Sequence, residues 1–400
     1  MRPLILISTL LLAALTAACV SVNVHGDPGA LAKVPPLRVA TYNTSLYTEE
    51  AGGLVRALKG DSAQARKIAA VLQRVRPDVV LLNEFDYDPA HRAADLFQSR
   101  YLEVAQPGGG EALRYPYRYL APVNTGVPSG LDLDANGNVG TTGRDRGNDA
   151  WGYGLHPGQY GMLVLSRFPV DQARARTFQL LRWSDMPGAL RPRDPAATAP
   201  FHGDSIWKQL RLSSKSHWDV PIQTPQGELH LLASHPTPPV FDGPEDRNGR
   251  RNFDEIRLWR EYLSPGNEAW LCDDQGRCGG LGEDARFVIA GDLNADPDDG
   301  DGYPGAIDQL LQHPRVNAAN PPRSAGGVAL AAAFALVRRG DTATHTGDFG
   351  PRTGTLRLDY VLASVGWKVV GSGIHWPVPG EPGAELIDAS DHRLVWIDLR

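Results

Sequence analysis

The stretch FVIAGDLNADPDDGDG, Phe287 to Gly302, carries a short apolar run, FVIAG, straight into Asp292, Asn294, Asp296, Asp298, Asp299 and Asp301. The apolar half suits a buried strand. Carboxylates gathered at the mouth of a strand raise one another's pKa or require a cation. Asp292 and Asn294, nearest the strand, are the candidates for chemistry, and Asp296 to Asp301 read as a solvated turn.

Other segments repeat this arrangement of apolar strand and polar end. LRVATYNTS carries Asn43, DVVLLNEFD carries Glu84, GELHLLASHP carries His235 near its end, RLDYVLAS begins near Asp359, and Asp391 and His392 precede LVWIDLR. GMLVLSRFPV is a further strand-like run. Between the first two, DSAQARKIAAVLQRVRPD has apolar residues at helical spacing and stops at Pro77. Strand, helix, strand is a βαβ order, which alone would predict an open parallel sheet. The residues just past strand ends in such folds are where ligands sit, fixed by the scaffold yet accessible. Several oxygen ligands there point to a hard divalent cation such as Mg²⁺, which takes one or two carboxylates plus substrate phosphate.

TYN, NEFD, SHP, GDLNADP, RLDYVLAS and SDHR, in that order, resemble the endonuclease/exonuclease/phosphatase superfamily from Leu37 to the end of the chain, insertions aside. The resemblance implies an α/β fold of DNase I-like type: a four-layer sandwich of two packed, mostly antiparallel β-sheets flanked by helices. It therefore replaces the open parallel sheet. It also implies metal-dependent phosphoester hydrolysis, with Asn43, Glu84 and Asp391 at the metal and Mg²⁺ or Mn²⁺ as the cofactor. Asp292 and Asn294 match the pair that orients the attacking water and holds a phosphate oxygen. Asp359 matches the partner of His392, and His235 the histidine that assists at the phosphate or leaving group. An imidazole oriented by a carboxylate suits proton transfer near neutral pH.

The N-terminus, MRPLILISTLLLAALTAACVS, has a basic residue, a short apolar run and small residues before Cys19. It reads as a signal peptide over residues 1–19, of lipoprotein type if Cys19 is lipidated, followed by a tether at 20–36 and the domain at 37–400. The chain is then expected to be exported: periplasmic, anchored to the outer membrane, or secreted. Cys272 and Cys278, in CDDQGRC, are expected to form a disulfide in an oxidising compartment. Closing so small a loop contributes about 2 kcal/mol in the chain-entropy model.

Two stretches, 106–157 and 174–220, read as loop insertions. The first contains DLDANGN, where Asp132, Asp134, Asn136 and Asn138 resemble the start of a calcium loop, although Gly143 stands where a bidentate Glu would complete it. A structural Ca²⁺ is weighed there against a metal-free turn, with Asp145 or Asp149 as completing ligands. Arg247, Arg250 and Arg251 follow the SHP motif and are candidates to grip an anionic substrate, as is Tyr160 before its strand. His202, His217, His345 and His375 have no motif context and read as structural or surface residues.

With 400 residues, 42% of them hydrophobic, the chain can bury a large core, and its net charge of −6 gives no footprint for non-specific nucleic-acid binding. The expectation is a monomeric, exported phosphatase or phosphodiesterase whose only membrane contact is a lipid anchor. The alternatives are a secreted nuclease of the same fold and a non-catalytic, calcium-stabilised surface binding lipoprotein.

Overall fold

The computed structural model describes residues 34–400, with residues 36–400 as one compact unit. Cys19, the leader and most of the tether lie outside the described residues. The first strands are β1 (Leu37–Leu46), β2 (Val79–Phe85), β3 (Tyr117–Tyr119), β4 (Met162–Ser166), β5 (Arg176–Thr177), β6 (His217–Thr224) and β7 (Gly227–Ser234). They are followed by β8 (Phe287–Asp292), β9 (Val316–Asn317), β10 (Gly347–Asp348), β11 (Thr355–Leu356), β12 (Asp359–Ser364), β13 (Val369–Ile374) and β14 (Val395–Leu399). One six-stranded sheet has the order β13-β14-β1-β2-β4-β3 and the other β5-β6-β7-β8-β12-β9, with β10 and β11 as a separate pair. Each large sheet has one parallel pair, β1 with β2 and β7 with β8, and is otherwise antiparallel. The βαβ reading was thus right for β1 and β2 and did not extend to the sheet.

The layers follow from the two-residue period of strands. Val39, Val79, Leu81 and Val164 of the first sheet share a core with Leu229, Leu231, Val288 and Val361 of the second. Their neighbours point the other way: Ala40, Val80 and Leu82 pack on Ile68 and Leu72 of helix Ala63–Val75. Leu232, Ile289 and Leu362 pack on Ile256 and Trp259 of helix Arg247–Tyr262. Helix, sheet, sheet, helix is the four-layer sandwich. The strands read as nearly continuous apolar runs because both faces are covered.

Helix Ala63–Val75 begins where the Ser62 side chain accepts from the Ala65 N–H and ends at Arg76, in the left-handed region just before Pro77. The second helix starts at Arg247 and runs to Tyr262. Its first turns bury polar residues, which conceal the period. Asn252 Nδ2 donates to the carbonyls of Thr237 and Leu293, and Glu255 accepts from the Ser214 and Thr237 N–H groups. Asp254 accepts from Trp183 Nε1 and Leu190 N. The helix therefore pins three loops that border the strand ends.

The stretch 174–220 is not loop throughout, since it carries β5 and the start of β6. β6 escaped the sequence reading because Pro221 and the polar His217 and Asp219 interrupt its apolar residues. The 106–157 stretch likewise carries β3. Cys272 and Cys278 are disulfide-bonded, and Asp273 inside that loop pairs with Arg176 of β5 at 2.9 Å, fastening the edge of the second sheet. Among the described residues, no helix is long and apolar enough to cross a membrane.

Leu231, fully buried between the sheets, gives a test of the layering. Leu231→Ala is expected to cost about 2–5 kcal/mol in urea unfolding, whereas Val370→Ala, on a strand face that is 42% exposed, should leave stability within about 0.5 kcal/mol. Equal effects would contradict the assignment of the inter-sheet core.

Candidate functional site

The strand directions bring the polar ends together. β1, β2, β7 and β8 finish at one end of the sandwich, and β12 and β14, being antiparallel to their neighbours, start there. Asp359 lies directly opposite Asp292 in the β8–β12 register, and Asn43 opposite Asn83 in β1–β2. The register between β1 and β2 slips after Asn43, a bulge that re-aims the end of β1. Ser45, Glu84, Tyr160 and Asn294 all have positive φ, from 49° to 56°. Such backbone is costly for residues with a Cβ and concentrates at functional sites. Gly291, one residue before Asp292, allows a close approach between strands: a Cβ there would lie 2.0 Å from the Ser234 carbonyl oxygen.

The buried Asp292 carboxylate is the centre. Its Oδ2 accepts from Asn43 Nδ2 at 3.0 Å and lies 3.5 Å from Nε2 of both His235 and His392. Its Oδ1 accepts from the Asn294 N–H, and its own N–H donates to Asn83 Oδ1. Asn294 Nδ2 is held by the Pro236 carbonyl at 3.1 Å. His392 Nδ1 meets Asp359 Oδ2 at 2.8 Å, and Thr346 Oγ1 donates to that same oxygen at 2.7 Å. Asp391 accepts from Ser45 Oγ at 3.1 Å.

These surroundings set the charges. Burial, with the Asp391 and Asp292 carboxylates, lifts Glu84 to about 7 against the pull of His392. Burial lifts Asp292 to about 6 while His392 opposes the rise. Burial alone would lower His392, but Asp359 and Asp292 carry it well above the usual imidazole range. His235 is pushed well below that range by burial and by Lys215 and His392. The two imidazoles on Asp292 thus differ in charge.

Ligand-type atoms of Asp292, Asp359 and His392 lie within 4.8 Å of one another. The Asp359–His392 hydrogen bond already accounts for that proximity. A cation fits better beside it, where Glu84 feels Asp391 and Asp292 without a basic residue bonded to it, and where the buried Asp359 Oδ1 has no partner. The donors are oxygens, as Mg²⁺ or Mn²⁺ requires.

Of the candidate substrate residues, Tyr160, Arg247 and Arg251 line a cavity of about 460 Å³ that reaches Glu84 and His235, as does His202. Arg250 is not among its lining residues; its guanidinium lies over Tyr303 at 5.7 Å. Lys215 and Arg144 also line the cavity. Neither sits in a motif, and an Arg or Lys in a long polar stretch gave no signal. Asp132, Asp134 and Asp149 do converge, but each already accepts hydrogen bonds: Asp132 from Asn136 and Gly137, Asp134 from Asn148, Asp149 from Leu133 and Gly140. Asn136 and Asn138 contribute turn contacts beside them. In the GDLNADP turn, Asp296 and Asp299 are not merely solvated: Asp296 receives the Arg357 N–H, and the buried Asp299 that of Gly340.

Strand ends from two stacked sheets converge here on carboxylates, amides and paired imidazoles, an oxygen-rich set that suits a hard divalent cation. The model of the Endonuclease/Exonuclease/phosphatase family matches residues 21–392, and the chain belongs to that family, most of whose members are metal-dependent hydrolases of phosphoester bonds. Among solved structures, the chain is similar to an endonuclease/exonuclease/phosphatase from Beutenbergia cavernae, at 18% identity over 92% of this chain and 72% of that one, with a TM-score of 0.47. It is similar to sphingomyelinase C from Streptomyces griseocarneus, at 20% identity over 92% and 100% of the two chains, TM-score 0.45. A beta toxin of Staphylococcus aureus with bound magnesium ions is similar at 13% identity over 91% and 100%, TM-score 0.42. No curated protein matches the chain.

The raised carboxyl of Glu84 sets a sign for stability without metal. The folded chain holds that proton up to about pH 7, against 4.5 for the ordinary group, so the Glu84 contribution to stability falls as pH rises through this window. Glu84→Gln is therefore expected to match wild type near pH 4 and to exceed it by about 3 kcal/mol at pH 8 in EDTA, with Mg²⁺ narrowing the gap. Thermal unfolding across pH checks this; a Glu84→Gln chain less stable than wild type at pH 8 in EDTA would contradict it.

Proposed function

We propose that the chain is a divalent-metal-dependent phosphoester hydrolase that acts outside the cytoplasm. The observation carrying this reading is the placement of Asp292 Oδ2 within 3.5 Å of two imidazoles, one of them held by Asp359. A bound Mg²⁺ or Mn²⁺ would be held by Glu84 with Asn43 and Asp391, and would supply charge stabilisation at the phosphoryl oxygens.

The chain's own residues divide the remaining work. Asp359 fixes the ring of His392 through Nδ1, leaving Nε2 to move a proton at the reacting centre. Asp292, at the end of β8 in the second sheet and held by Asn43 and Asn83 of the first, orients a water for in-line attack. Asn294, fixed through Nδ2 by the Pro236 carbonyl, stands beside it to hold a phosphate oxygen. His235 faces the leaving-group side, where the cavity begins. Preorganised donors of this kind act without reorganising during the reaction.

Export is supported by the leader-like sequence and by the Cys272–Cys278 disulfide. Lipidation at Cys19 would tether the domain through residues 20–36. Cys19→Ser is expected to shift the protein from membrane to soluble fractions; unchanged membrane recovery would remove the anchor.

The test of activity uses the domain without its leader on phosphate mono- and diesters, sphingomyelin, RNA and plasmid DNA, with Mg²⁺, Mn²⁺ or EDTA. Hydrolysis is expected with either cation and not with EDTA, and His392→Ala and Asp292→Ala should each lower it by about 10²–10⁴-fold. Folded wild type that binds metal yet cleaves none of these would contradict the reading.

A further inference from the structure

The cavity beside the centre has a composition that hydrolysis at the phosphate does not explain. Its charged lining is Glu84 against Arg144, Lys215, Arg247 and Arg251, in a chain whose net charge is −6. Lys215 is only 6% exposed, and burial drives its pKa down although Glu255, Glu84 and Asp292 oppose the fall. Among the described residues, neither Lys215 nor Arg144 has an ion pair or a side-chain hydrogen bond. Arg251 is half-buried and spends its guanidinium on the carbonyls of Leu212, Trp151 and Arg211 rather than on a carboxylate. Arg247 alone has a direct acidic partner, Glu245.

Of these cations Lys215 is both buried and unpaired, which is costly unless a ligand supplies the counter-charge, while Arg144 stands exposed at the mouth. Polar groups along the same wall are also short of partners: Ser214 Oγ, Thr237 Oγ1 and His202 Nδ1 are buried with none. Native proteins rarely leave several such atoms at one place without use for them. The wall also carries an apolar share, with Leu133, Trp183, Leu210, Val240 and the 79% exposed Phe241. An exposed aromatic at the rim and apolar side chains within suit a ligand body, while the cations suit a charge on it.

The walls come from three segments, around Thr125–Tyr153, Trp183–Lys215 and Thr237–Arg251. At about 460 Å³, the cavity is the size of a metabolite-scale site. A trimethylammonium group would meet the cations unfavourably there.

We propose that this cavity is the leaving-group subsite and that it selects compact phosphoesters whose leaving group is partly apolar and carries its own anionic group. The inference rests on the hydrolase reading for its term "leaving group", while the anion selectivity is a property of the cavity itself.

The test compares phosphate esters of para-hydroxybenzoate, phenol and para-trimethylammonium phenol, each as monoester and methyl diester. Binding is measured by calorimetry in EDTA and turnover with Mg²⁺ or Mn²⁺. The carboxylate ester is expected to bind, and to react by kcat/KM, at least about tenfold better than the phenyl ester, with the trimethylammonium ester poorest. Arg144→Glu, at an exposed position free of partners, and Arg247→Gln should each shrink that ratio, with folding checked by circular dichroism. Selective binding without turnover would sustain the subsite and sink the hydrolase reading. Turnover without selectivity, or selectivity untouched by both substitutions, would overturn the subsite and leave that reading intact. Esters neither bound nor cleaved would overturn both.

Discussion

Everything at the site depends on a clamp between two sheets. Asn43 and Asn83, from neighbouring strands of the first sheet, bond the carboxylate and the backbone N–H of Asp292 at the end of β8 in the second. Asn83 Nδ2 also reaches the Ser234 carbonyl at 3.4 Å, touching the strand that leads to His235. An apolar inter-sheet core has no preferred register of its own, because dispersion and burial are non-directional. The amide bonds are directional, so they fix which strand ends face one another and place two imidazoles on one carboxylate oxygen.

Backbone strain and buried charge are the cost of this arrangement, offset by the large apolar layers behind it. Positive φ at Ser45, Glu84, Tyr160 and Asn294 aims side chains that regular strands would have sent to opposite faces. Glu84 and Asp292 are held where their charged forms are disfavoured. The same logic extends outward to Lys215, whose ammonium is buried beside the centre.

Much of this was legible because the chemistry sits at strand ends. Asp292, Glu84, His235 and His392 adjoin apolar runs, and the direction of those runs tells where the side chains gather. The parallel partnership of β1 and β2 was also readable, since a helix of adequate length joins them. The antiparallel remainder was not, because pairs such as β1 with β14 join opposite ends of the chain and leave no local pattern. β6 was concealed by its polar residues and Pro221, and the first turns of helix Arg247–Tyr262 by buried Asn252, Asp254 and Glu255. Thr346, which braces Asp359 from a loop, and the cavity cations Arg144 and Lys215 carry no motif. Their positions are set by long loops packing against that helix, which is a tertiary outcome.

The central claim is that Asp359 holds His392 in the orientation and charge state the chemistry needs, and Asp359→Asn tests it most directly because shape is kept while charge is lost. Measured on whichever phosphoester the wild type cleaves, with Mg²⁺ saturating, kcat is predicted to fall by about 10²–10⁴-fold while metal affinity and thermal stability stay near wild type. A variant that turns over at the wild-type rate would show that the Asp359–His392 pair is a structural contact and that the reaction is run by other groups.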